Sequence, residues 1–116
     1  MSIEGMWCFV TGEVGNNEIA AGGVIILDTQ RIYGGDSAIA HVGNYETANG
    51  QVVGKIESFL YNPAYADGED VFGEAVGDKK LTQFDVALNA DGFLVGTISR
   101  GPVSLPVILQ KLRDLP

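Results

Sequence analysis

Cysteine, histidine and tryptophan occur once each in this chain of 116 residues, and proline four times. A single cysteine, Cys8, excludes an internal disulfide and fits a reducing compartment. Basic residues are scarce as well: 7 Lys and Arg stand against 15 Asp and Glu, a formal net charge of -8. Such a surface repels phosphate backbones and anionic headgroups, so direct nucleic-acid binding lacks its usual electrostatic footprint, whereas a basic protein surface is attracted. The longest apolar run, Val24-Ile25-Ile26-Leu27, is far too short to span a bilayer. The amino terminus, Met1-Ser2-Ile3-Glu4-Gly5, has no cationic segment ahead of an apolar one. No secretory signal is therefore expected, and the expectation is a soluble cytoplasmic protein.

Catalytic constellations are equally sparse. A nucleophile needs a base within hydrogen-bond reach, and His41 stands alone in the sequence. Cys8 shares no motif with it and reads as a small packed hydrophobe. One His and one Cys do not make a zinc site without carboxylates at a characteristic spacing, which is missing. Asp67, Glu69 and Asp70 resemble a calcium cluster in composition only, since the spacing departs from an EF-hand loop; a solvated acidic loop is the plainer reading. Neither an enzyme nor a cofactor is expected.

What the chain does have is glycine, 16 in all, mostly at the ends or middles of short alternating apolar runs. Glycine supplies positive φ for hairpins and weakens helices, so the pattern argues strands and tight turns. Strands are expected over Gly5–Gly12, Ile19–Asp28 with a kink or bulge at Gly22-Gly23, Arg31–Gly34, Ala38–Thr47 and Gln51–Tyr61. Three more follow over Leu81–Asn89, Phe93–Arg100 and Val103–Leu112. Asn49-Gly50 is a strong hairpin signal. The run from Asn62 to Asp70 has no periodicity and reads as a long loop, with one helical turn near Val71-Phe72. Seven or eight antiparallel strands bury their apolar faces and lose their edges most simply by closing. The expected fold is one all-β domain over residues 1–116, a small up-and-down barrel of about eight strands and lipocalin-like type.

Gly5-Met6-Trp7, Gly22-Gly23-Val24, Ile32-Tyr33-Gly34-Gly35-Asp36, Val42-Gly43-Asn44-Tyr45 and Val71-Phe72-Gly73 occur in this order along the chain. Together they resemble the GrlR-like family, whose best-known members are negative regulators of type III secretion. That resemblance implies a lipocalin-like barrel, a dimer, and regulation by binding a transcriptional activator protein rather than DNA. It also implies engagement of the activator through an acidic turn between the two middle strands, where this chain reads Glu46-Thr47-Ala48-Asn49.

Two functional expectations result. The first is a protein-binding regulatory module that captures a basic partner, such as a DNA-binding activator, through acidic loops including Glu46, Asp67, Glu69 and Asp70. Phe59 and Tyr61, on the outward face with Lys55 and Glu57, are the expected homodimer surface. The alternative is a binder of a small apolar molecule, with an interior lining drawn from Trp7, Phe9, Tyr45, Ile56 and Phe84. Aromatics at alternating strand positions are otherwise ordinary core. Gly34-Gly35-Asp36 reads as a structural turn in which the Asp side chain bonds its own backbone, in preference to an anion nest.

Overall fold

A computed structural model describes residues 3–11, 21–69, 72, 74 and 79–116. The strands are β1 (Gly5–Thr11), β2 (Ala21–Asp28), β3 (Arg31–Gly35), β4 (Ile39–Ala48), β5 (Gln51–Leu60), β6 (Lys80–Leu88), β7 (Leu94–Arg100) and β8 (Val103–Arg113). Each pairs antiparallel with its neighbour in sequence, and β8 returns to β1, so the sheet closes into an up-and-down barrel. The all-β barrel expectation is met.

Local chemistry sets the turns. Thr29 and Gln30 both take positive φ, 50° and 66°, and Asn49 and Gly50 do the same at 53° and 81°. Two consecutive positive φ values define the type I′ hairpin whose twist matches that of the flanking strands. At the other end of the barrel, Gly101 has φ 59° and precedes Pro102, joining Arg100 to its partner Val103. Asn89 caps its own turn, its Oδ1 accepting from the Asp91 and Phe93 amides at 3.0 and 2.9 Å. The long loop holds a 3-10 turn over Pro63–Tyr65, with the Asn62 side chain accepting from the Ala64 amide. Val71, Gly73 and residues 12–20 lie outside the described residues.

Strand parity sorts the side chains as the alternation predicts. Trp7, Phe9 and Thr11 turn inward on β1, and Thr82, Phe84, Val86 and Leu88 on β6, while Gln83 and Asp85 are exposed. Trp7, Leu27, Ile32 and Leu94 are the most deeply buried side chains. They belong to one core inside the barrel.

Two glycine readings are corrected. Gly22 and Gly23 pair with Val10 and Phe9 in unbroken register and no bulge forms there; Gly23 instead allows close approach, since a Cβ would fall 2.6 Å from the Gly35 carbonyl oxygen and 3.0 Å from the Phe9 ring. The irregularity falls instead between Met6 and Trp7, where β1 meets β8. Gly34 and Gly35 are not turn residues either; β3 runs through both, and a Cβ at Gly34 would lie 2.1 Å from the Val24 carbonyl oxygen. The reversal comes one residue later. There the Asp36 side chain does bond its own backbone, Oδ1 accepting from the Ala38 and Ile39 amides at 2.8 and 2.7 Å.

Gly54 shows how tightly the small barrel coils. A Cβ there would fall 2.1 Å from the Asn44 carbonyl oxygen and 2.8 Å from the Phe84 ring, which lies across the gap. Neither backbone nor ring has room to give. Gly54→Ala is therefore expected to cost about 3 kcal/mol, the upper part of the overpacking range, read as a lower urea midpoint at unchanged m-value. A midpoint equal to wild type would show that the strands separate freely at this position.

Candidate functional site

The barrel has a filled end and a hollow end. Trp7 and Tyr45 occupy the filled end, beside the Thr29-Gln30 turn: the Trp7 indole donates to the Ile3 carbonyl at 2.8 Å, and the Tyr45 amide donates to the Gln30 carbonyl at 3.0 Å. Both are buried, at 1% and 4% exposure. From the core layer of Leu27, Val52 and Leu94, a cavity of about 270 Å³ runs to the opposite end, where it reaches the surface among Phe59, Tyr65 and Glu69. Of the five expected lining residues, Phe9, Ile56 and Phe84 line it. Trp7 and Tyr45 do not, because they plug the closed end.

One side of the cavity wall, formed by β1, β2 and β8, is mainly apolar, with Phe9, Ile25, Val107 and Leu109 beside Thr11. The other carries polar groups near the mouth. His41 on β4 and Ser58 on β5 are direct cross-strand partners, with Nδ1 and Oγ 2.7 Å apart. The next partner along this row is Lys80 on β6. The Phe9 ring meets His41 edge-on, centroids 5.6 Å apart at 74°. His41 Nε2 is buried and has no hydrogen-bond partner among the described residues. Further round, the Arg100 guanidinium donates to Thr82 Oγ1 at 3.0 Å and to Glu74 Oε1 at 2.9 Å, and lies 4.4 Å from the centre of the Phe72 ring. Lys80 Nζ approaches the other Glu74 oxygen at 3.7 Å. Two cations thus hold one carboxylate at the mouth.

The acidic residues do not form one patch. Asp67 and Glu69 are exposed on the loop at the open end, and Glu69 borders the cavity mouth. Glu46 is exposed on the outside of β4, opposite Val53 and close to the Asn49-Gly50 turn at the other end. Asp70 lies outside the described residues. Phe59 and Tyr61 are 37% and 55% exposed. Phe59 sits at the cavity rim, and the Tyr61 hydroxyl donates to the Asp36 carbonyl, tying the end of β5 to the β3–β4 turn. Elsewhere on the outer sheet, Tyr33, Val42, Val53 and Leu81 are exposed in a shallow saddle across β3 to β6, interspersed with Arg31, Lys55, Glu57 and Asp85.

His41 is the polar cavity residue that sequence reasoning set aside. It has no neighbour in the sequence that marks it, but strand pairing supplies one in Ser58. No family model matches this sequence, and no curated protein matches it significantly. No helix among the described residues is long and apolar enough to cross a membrane.

Burial holds the His41 pKa below its ordinary value, and the Asp36 carboxylate opposes that shift. As the pH falls below about 6.5, the unfolded chain binds a proton that the folded chain still refuses. Stability is accordingly full above that value and declines as the pH drops toward the folded pKa. Urea midpoints measured at pH 7.5 and pH 5.5 should fall for the wild type and fall less for His41→Leu. Equal drops in the two proteins would mean that His41 titrates as in the unfolded chain.

Proposed function

We propose that this barrel binds a small, mainly apolar molecule in its cavity, entering from the end bordered by Tyr65 and Glu69. The observation that carries this reading is the cavity itself, about 270 Å³ with a predominantly apolar lining and a route to the surface. A dry apolar cavity of about 150 Å³ accommodates benzene, so by proportion this one suits about eleven non-hydrogen atoms. Concave, mostly apolar sites with a few convergent polar groups are the usual form of small-molecule sites.

Propylbenzene tests the reading. Binding with a Kd on the order of 100 µM is expected from the burial of so few atoms. Ile56→Trp, which fills the cavity from β5, should weaken it at least about tenfold while the far-UV circular dichroism stays that of a β-protein. Absence of binding at millimolar propylbenzene would sink the reading.

The second reading is a regulatory module that binds a basic protein, such as a DNA-binding activator, in the manner of the GrlR-like family that the sequence resembles. It is supported by the net charge of -8 and by the exposed apolar side chains on the outer saddle. The acids of this reading are Glu46, Asp67, Glu69 and Asp70, and a homodimer through Phe59 and Tyr61 is its assembly. Encounters steered by exposed charge weaken as the Debye length falls from about 10 to 3 Å. Capture of a stoichiometric basic partner should therefore decline with salt and with Glu69→Lys, and capture indifferent to both would remove the acidic contribution.

A further inference from the structure

His41 and Ser58 face each other across the β4–β5 ladder, and both line the cavity. Their 2.7 Å contact admits two proton arrangements. With Ser58 donating to Nδ1, the ring proton sits on Nε2, and Ser58 Oγ retains its capacity to accept. With Nδ1 donating to Ser58, Nε2 is an acceptor and the Ser58 hydroxyl hydrogen is free to donate. Either arrangement leaves the pair one donor and one acceptor. Nε2, on the far side of the ring from Ser58, is the buried atom without a hydrogen-bond partner among the described residues, and an alcohol or phenol hydroxyl meets it in both tautomers, accepting from Nε2–H or donating to bare Nε2. A carboxylate only accepts and an ammonium only donates, so at Nε2 each suits one tautomer alone.

Charge at the mouth selects in the same direction. An entering carboxylate would compete with Glu74 for Lys80 and Arg100, and would pass Asp36 and Glu69, in a chain whose net charge is already -8. An entering cation would compete with those same two basic side chains for Glu74. A neutral molecule meets neither barrier.

We infer that the cavity selects an uncharged ligand carrying one hydroxyl, which bonds the His41–Ser58 pair while its apolar body lies against Phe9, Ile56 and Phe84. This rests on the ligand-binding reading above and specifies the chemistry of its occupant. Burial keeps the imidazole neutral, so the one-donor, one-acceptor arrangement persists at neutral pH. Below the folded pKa the ring would become a double donor, facing Asp36 across the mouth together with Lys80, Arg100, Glu69 and Glu74.

The full chain, labelled with 15N in its histidine ring, provides the test, because His41 is the sole histidine and its Nδ1 and Nε2 are told apart by their couplings to the ring protons. The probes are 4-propylphenol, propylbenzene and 4-propylbenzoate. The phenol is expected to bind about tenfold more tightly than propylbenzene, the scale of one net hydrogen bond, and to shift the Nε2 resonance where propylbenzene leaves it in place. The benzoate should bind more weakly than the phenol by a similar factor. Ser58→Ala and His41→Phe should each narrow the phenol's advantage over propylbenzene to within about twofold; because this is a ratio, it is insensitive to a general loss of affinity.

Equal binding of phenol and propylbenzene, or an advantage that survives both substitutions, overturns the hydroxyl assignment and leaves the apolar site standing. Tightest binding by the benzoate also overturns it, in favour of recognition by Lys80 and Arg100. Failure of all three probes removes the ligand-binding reading and this inference with it.

Discussion

The pairing of β1 with β8 is the constraint on which the rest of this structure depends. It joins the two ends of the chain, Phe9 to Leu109 and Thr11 to Val107, and converts an open meander into a surface without edges. Every strand interior must then find hydrogen-bond partners on both sides, and a proline within a strand is normally costly. Pro106 escapes that cost by position. Its carbonyl accepts from Thr11 Oγ1 at 2.8 Å, so its backbone polar side faces β1, and no amide is missing from the ladder with β7, where Pro106 sits opposite Thr97.

Closure at this size also creates the cavity. Eight strands enclose a volume that side chains can fill or that can hold one small ligand, and the choice rests on what points inward. At the closed end Trp7, Tyr45, Leu27 and Leu94 fill the space. On β3 to β5 the inward positions alternate larger side chains, among them His41 and Ile56 of the cavity wall, with Gly34, Gly43, Gly54 and Ser58, which contribute almost no volume. The strands need those glycines to approach closely, as the 2.0 Å from a Cβ at Gly43 to the Lys55 carbonyl oxygen shows. The glycines that let the strands coil this tightly are thus also inward positions with no side chain to add to the core.

Much of this was legible from alternation and turn chemistry. Period-two patterning in Thr82 to Leu88 identified the inward face of β6, and the glycine and asparagine turns placed the hairpins. Trp7 and Tyr45 were assigned to the core and the cavity lining alike, since parity says that a side chain points inward but not how far along the axis it lies. Gly34-Gly35 looked like a turn because local propensity takes no account of a neighbouring strand at van der Waals distance. The His41–Ser58 pair was available from the sequence all the same. A two-residue turn centred on Asn49-Gly50 puts residues equally distant from it opposite each other, and 41 and 58 are each eight positions away. Arg100, Thr82 and Glu74 had no such signal, because their meeting depends on the path of an aperiodic loop over the barrel mouth.

That loop is where the two functional readings meet. Asp67 and Glu69, the acids expected to engage a partner, lie on the segment that supplies Tyr65, Glu69 and Phe72 to the cavity mouth. Phe72 and Glu74 are in turn held by Arg100, whose side chain forms part of the inner wall beside Thr82. A molecule seated deep in the barrel and a protein docked on the acidic loop would therefore press on opposite sides of one cluster. Binding at one site can alter affinity at the other only through a difference in how each stabilises a shared element, and the mouth residues Glu69, Phe72 and Arg100 border the cavity on the side of that loop. Glu46, at the far end of β4, lies outside that arrangement, so of the described acids expected to engage a partner, Asp67 and Glu69 are the two on the loop at the cavity mouth.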